Sequence, residues 1–169
     1  MASVTEYWNQ YEHWLELCAS EVLLSLNPGL SDERLNEFGH EINMSLPSDY
    51  LEFYRLHDGQ PWDSPWVFPE GQWLPLKQVY SVYTDMLSGG DWNSNLLPII
   101  YDGGSGYIVF CCRNDGDYKL SALYDVWFEE NSIKEVSPSI ENWLRLLVEN
   151  TKLNKVIYDR DMGLYLEEQ

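Results

Sequence analysis

The stretch Leu46-Pro47-Ser48-Asp49-Tyr50-Leu51-Glu52-Phe53-Tyr54-Arg55-Leu56-His57-Asp58-Gly59 leaves this chain the fewest choices. It reads as one short, well-punctuated helix. Pro47 suits the first helical position, where its missing N–H costs nothing, and Gly59 suits the left-handed residue just past the end. Tyr50, Phe53, Tyr54 and His57 fall at i, i+3, i+4 and i+7, one face made mostly of aromatics. A short helix with so much aromatic surface must be enclosed by neighbours. It is a packing hub.

The neighbours on the N-terminal side are helical. Val4, Tyr7, Trp8, Tyr11, Trp14, Leu15, Cys18 and Val22 keep helical spacing, and Ser3 with Glu6 forms a capping-box pair. Glu6, Glu12, Glu16 and Glu21 occupy the other face. The spacing predicts one long amphipathic helix in the segment 1–30, broken at Asn27-Pro28-Gly29. Ser31 caps a second helix with Asp32 and Glu33 in its first turn, where the helix dipole favours anions. Residues 60–75 hold four prolines and three tryptophans, which predicts irregular or short edge-strand structure. A further helix is predicted from Leu76 to about Leu87, stopped by Ser88-Gly89-Gly90.

The second half changes period. Segments 96–101, 107–112 and 118–128 are rich in Ile, Val, Tyr and Leu, and are separated by glycine-rich and Asn-Asp-Gly turns. Short connections between successive strands predict an antiparallel meander, with a fourth strand around 133–136. Ser137-Pro138 opens a last long helix carrying Ile140, Trp143, Leu144 and Leu147. The tail, 154–169, has no clear period. Helices, then a meander, then a closing helix give an α+β chain: a single domain, 1–169, with helices mainly on one face of an antiparallel sheet.

Of 169 residues, 28 are acidic and 10 basic, a formal net charge of −18. Residues 1–60 carry 11 acids and 2 bases, so the charge is not confined to a tail. Such a surface repels nucleic acid and anionic membranes and steers a basic protein partner. Three cysteines, Cys18, Cys111 and Cys112, form neither a disulfide framework nor a zinc site. With no visible secretion signal, they suit a reducing cytoplasm.

Chemistry-bearing motifs are sparse. Gly104-Ser105-Gly106 follows a strand, but Val109 stands where a dinucleotide fingerprint needs its third glycine, and a strand follows instead of a helix. A calcium loop aligned on Gly116 puts Cys111 and Arg113 at carboxylate positions and Ala122 at the bidentate position. Cys111 and Cys112 have only Arg113 as a positive neighbour and read as inert thiols. His57 reads as a core histidine, and His13 and His40 as surface ones. Asp91, Asp102, Asp115 and Asp117 lie in loops that a meander brings towards one end of the sheet. No catalytic, cofactor or metal residues are assigned.

Two blocks of sequence carry a resemblance. Phe38-Gly39, then Leu46-Pro47-Ser48-Asp49-Tyr50-Leu51-Glu52-Phe53, then Asp58-Gly59 is similar to the "Leu-Pro-x-Asp-Tyr-x-x-Phe … Asn-Gly" signature of the SUKH superfamily, with Asp58 where Asn is common. Leu97-Pro98-Ile99-Ile100 with Asp102-Gly103-Gly104 and the strand to Cys112 is similar to that family's second block. The resemblance covers about residues 31–150, with Leu46, Pro47, Tyr50, Phe53, Gly59, Pro98 and Gly103 as its structural signature. It implies a protein-binding α+β domain without catalysis, either an immunity protein that binds a bacterial toxin or a regulator of the fungal cell-wall type.

Joined to the charge, the resemblance points to a cytoplasmic immunity protein, monomeric or weakly dimeric, that occludes a basic toxin domain, a nuclease among the options. Exposed Trp62, Trp66, Trp73 and Trp92 with Asp63, Glu70, Asp91, Asp102, Asp115 and Asp117 are the expected docking residues. The alternatives are a regulatory or scaffold module and, third, a hydrolase using loop carboxylates.

Overall fold

The computed structural model describes residues 2–168. Helix α1 (Val4–Cys18) begins with the capping box: Ser3 Oγ accepts the Glu6 N–H, and the Glu6 carboxylate accepts the Ser3 N–H. It buries Val4, Trp8, Tyr11 and Leu15. The single long helix predicted here is two: the chain turns at Ala19 and continues as α2 (Ser20–Leu24). Ala19 and Val22 are buried on either side of the break, so packing rather than a breaker residue sets it. Ser31 caps α3 (Asp32–Glu41) through the Arg34 N–H, as its sequence predicts.

The hub is α4 (Ser48–Leu56), with Tyr50, Phe53 and Tyr54 fully buried. Its ends differ from the expectation. Pro47 stands at the N-cap rather than inside the first turn, and the helix stops at extended His57 (φ −152°, ψ 148°). Gly59 is left-handed (φ 58°), but not as a helix cap. A Cβ there would come 2.5 Å from the Trp73 carbonyl oxygen, so glycine lets this segment lie against residues 73–75.

Five antiparallel strands form the sheet in chain order: β1 (Gln72–Trp73), β2 (Leu96–Tyr101), β3 (Gly106–Cys111), β4 (Leu123–Trp127) and β5 (Ser132–Ser137). The meander is therefore as predicted, and the Pro-rich segment supplies the short edge strand β1. Pro98 lies where the β2–β3 register shifts, a place that tolerates a residue without an N–H. The third predicted strand, 118–128, is shorter, beginning only at Leu123. Ser121 is left-handed (φ 67°), and the Leu120 N–H bonds to the Asn114 side chain at 2.7 Å, so 118–122 form a side-chain-braced loop.

Helix α5 (Leu76–Ser88) joins β1 to β2, and α6 (Ile140–Lys152), capped by Ser139, follows β5. The tail forms a hairpin of β6 (Val156–Asp159) and β7 (Gly163–Leu166). Ile108, Phe110, Cys112 and Leu123 turn one sheet face into the helical core. Val109, Cys111, Tyr124 and Val126 form a smaller cluster on the other face, flanked by Trp92, Tyr107 and Tyr118. The result is an α+β domain. Among the described residues, no helix is long and apolar enough to cross a membrane.

Candidate functional site

The Trp/Pro-rich segment is anchored from inside by Gln60, which is fully buried. Its Nε2 donates to Ser25 Oγ (2.9 Å) and to the Pro65 carbonyl (2.7 Å). Its Oε1 accepts the N–H groups of Val67 (3.1 Å) and Trp73 (3.3 Å). Every hydrogen-bonding site of this amide is used, so the loop cannot swing out without orphaning buried groups. Nothing in the sequence around Gln60 signals this role.

One consequence corrects the expected docking set. Trp73 is not exposed: it is 0% accessible and packs among Trp8, Phe53, Tyr54 and Phe68. The other tryptophans lie nearer the surface. Trp62 is 57% exposed, beside Asp63 on the loop tip, and stacks on Tyr101 with ring centroids 5.7 Å apart. Trp66 is half-buried over Gly103, whose φ of 81° and closeness to the indole (a Cβ would sit 2.9 Å away) suit only glycine. Trp92 is half-buried and donates its indole N–H to the Leu96 carbonyl at 2.9 Å.

The loop carboxylates do not gather at one end of the sheet. Tyr101 pairs with Tyr107 at one end of the β2–β3 ladder and Leu96 with Cys111 at the other. Asp102 therefore sits at the first end and Asp115 and Asp117 at the second. Asp115 braces its turn, accepting N–H groups of Asp117 and Tyr118 and the side-chain amides of Asn93 and Asn95. The Asn93 bond, then the Tyr118 N–H, hold its carboxyl down at about 2. Asp91 and Trp92 line a separate groove with Phe128 and Ile133.

Glu70 and Asp102 do meet. They line a cleft of about 380 Å³ between α6 and the open end of the β3–β4 ladder, together with Asp125, Trp127, Trp143 and Leu147. Each carboxylate is held differently. Asp102 Oδ1 accepts the N–H groups of Gly104 (2.7 Å) and Gly106 (3.1 Å) across the hairpin turn. Both oxygens of Asp125 lie 3.1 Å from the Trp127 indole nitrogen, which donates to them. Glu70 Oε1 accepts the Trp143 indole N–H at 3.2 Å, while Oε2 is shut off from solvent with no hydrogen-bond partner. Burial pushes the Glu70 carboxyl up, and the nearby Asp125 charge adds to it. Burial also raises Asp125, with a contribution from Asp102.

The sequence reading missed Asp125, Trp127 and Trp143 as members of this site. A signal existed: Asp125 and Trp127 are two apart on one strand, which puts both side chains on the same face. Elsewhere, burial pushes both buried thiols, Cys111 and Cys112, upward, which disfavours the thiolate. His57 lies edge-on to Trp8, its Nδ1 donating to the Asn27 carbonyl at 2.9 Å. Asp58, the departure from the signature, accepts the Leu76 N–H at 2.8 Å and so serves the start of α5.

Comparison with known proteins completes the picture. KNR4/SMI1 homolog 2 of Debaryomyces hansenii is 38% identical over 61 residues, 36% of this chain and 10% of that protein. F-box only protein 3 of Homo sapiens is 34% identical over 59 residues, 35% of this chain and 12% of that protein. The chain thus matches about a tenth of the length of these curated relatives. The family model described as SMI1 / KNR4 family (SUKH-1) matches residues 29–146, spanning α3 through the first half of α6 and including every carboxylate of the cleft, and this chain belongs to that family.

Proposed function

We propose that this SUKH-1 domain is a non-enzymatic protein-binding module that works as an immunity protein, occluding a basic toxin domain. The observation that carries this reading is the cleft of Glu70, Asp102 and Asp125, open between tryptophan walls, with no ion pair to any of the three among the described residues. Acidic groups beside aromatic anchors are what a basic partner docks against. The net charge of −18 raises the rate of such an encounter and disfavours nucleic acid and anionic membranes as partners. The reading places the protein in the cytoplasm, as a monomer or weak homodimer.

The test is direct. The product of a neighbouring toxin gene should co-purify with this chain at fixed stoichiometry and lose its activity when the chain is in excess. A toxin that keeps full activity under those conditions overturns the reading.

A second reading, a regulatory or scaffold module, draws on one observation: in the matched relatives the similar segment is about a tenth of a much longer protein. Gene neighbourhood separates the two, since an adjacent toxin gene is expected only for the first.

A further inference from the structure

The cleft is unbalanced in a way that describes its ligand. Its three carboxylates present six oxygens, and among the described residues four N–H groups of other residues reach them: Gly104, Gly106, and the indoles of Trp127 and Trp143, with the Glu70 backbone N–H turned to its own carboxylate. A carboxylate has about four acceptor sites of its own. Asp102 Oδ2 has no protein donor, Asp125 shares one donor between two oxygens, and Glu70 Oε2 is enclosed without a partner although its residue lines the cleft. Repulsion among the three is felt, since Asp102 acts on Asp125 and Asp125 on Glu70. Lys134 faces Asp125 across the β4–β5 register and eases this from outside the lining.

Acceptor excess and negative charge disfavour phosphates, carboxylates and nucleic acid as occupants. Among the described residues, no group of three His, Cys, Asp or Glu side chains is placed to hold a metal ion. An organic cation rich in N–H donors suits such a cleft. A guanidinium offers five donors in a plane, pairs with more than one carboxylate, and packs well on indoles. Trp127 leaves 42% of its surface open at the mouth, and Leu147 lies against the space a methylene stem would fill.

We propose that this cleft is the receptor for one arginine side chain of the protein partner, its guanidinium held by Asp102 and Asp125 in front of the enclosed Glu70 carboxyl, and its stem lying between Trp127 and Trp143. The inference rests on the reading that the partner is a basic protein, and gives that reading a residue-level contact.

The experiment follows the indole N–H signals of Trp127 and Trp143 by NMR on the full chain during titration with N-acetyl-arginine amide. N-acetyl-lysine amide, the neutral isostere N-acetyl-citrulline amide and matched sodium chloride are the controls. Arginine should move both indoles saturably with a dissociation constant on the order of a millimolar, the reach of so small a ligand. Citrulline and salt should not. Asp125→Asn should weaken the response about tenfold, as loss of a charge-assisted pair predicts, and Asp102→Asn provides a second variant that keeps the turn's acceptor oxygen. Indoles that stay still with arginine, or move equally with citrulline, overturn the proposal. With a cognate toxin in hand the two readings fail separately. Unchanged toxin affinity in Asp125→Asn and Asp102→Asn removes the arginine receptor alone. A filled cleft with no toxin inhibited removes the immunity function alone.

Discussion

The indole of Trp73 lies flat on the ring of Phe53, centroids 4.1 Å apart and planes 17° apart. That stack ties the Pro-rich segment to the hub helix, and it separates structural from surface tryptophans. Replacing Trp73 by Ala should cost about 3–5 kcal/mol, the range for deleting a fully buried large aromatic. Trp62→Ala, at an exposed site, should stay within about 0.5 kcal/mol. Urea denaturation of both variants checks this. Similar small losses for the two would mean that Trp73 is not a core residue.

Gln60 makes a sharper prediction, because its loss exposes no hydrophobic surface. Gln60→Ala leaves the Val67 and Trp73 N–H groups and the Pro65 carbonyl without their partner. Orphaned buried groups cost about 1–3 kcal/mol each, so the summed loss should exceed about 2 kcal/mol by chemical denaturation. A loss below about 1 kcal/mol would show that the loop relaxes and finds other partners.

Both residues also mark the limit of what pattern reveals. The hub helix, the meander and the edge-strand nature of β1 are legible because spacing and turn residues are local. Trp73 groups in sequence with the exposed tryptophans because Trp in a polar setting is a common interface anchor, whereas the network on Gln60 folds its loop back over the core. The hairpin of β6 and β7 was illegible for a related reason: its strands are four residues each, with only Val156 and Leu164 buried. In the cleft, Glu70 and Asp102 were named from their loops. Asp125 lies inside a strand, and alternation there shows two faces but not which is covered by α6.

Asp115 should reveal itself through acid titration. Its folded carboxyl sits at about 2, below the ordinary 3.8. A depressed folded value contributes stability above the unfolded pKa and loses it as pH falls towards the folded one. The destabilisation caused by Asp115→Asn, read from thermal melts, should therefore be full above about pH 4 and shrink between 3.8 and about 2. An effect constant across that window would assign the loss to shape, not charge.

Glu70 runs the other way. Burial raises its carboxyl above the ordinary 4.5, so its ionised form opposes folding. Glu70→Gln should raise Tm at neutral pH, with each kcal/mol gained worth about 2–4 °C in a chain of this size. The gain should vanish as pH falls below 4.5, where the acid is neutral in both folded and unfolded states. Calorimetry across pH checks it. A gain that persists in acid would mean that the amide packs better for reasons unrelated to ionisation.

Helix α1 packs along α6, with Lys152 donating to Gln10 at 3.3 Å, and the last hairpin reaches back so that Arg160 meets Glu21 at 2.8 Å. Of these two helices α1 therefore leaves the ribosome well before the partner it packs on. At about 5–20 residues per second, α1 is without its α6 partner for roughly ten seconds of translation. During that interval the face of α1 that meets α6 stays uncovered, and the domain closes only once residues 140–152, and then the hairpin that carries Arg160 to Glu21, have arrived.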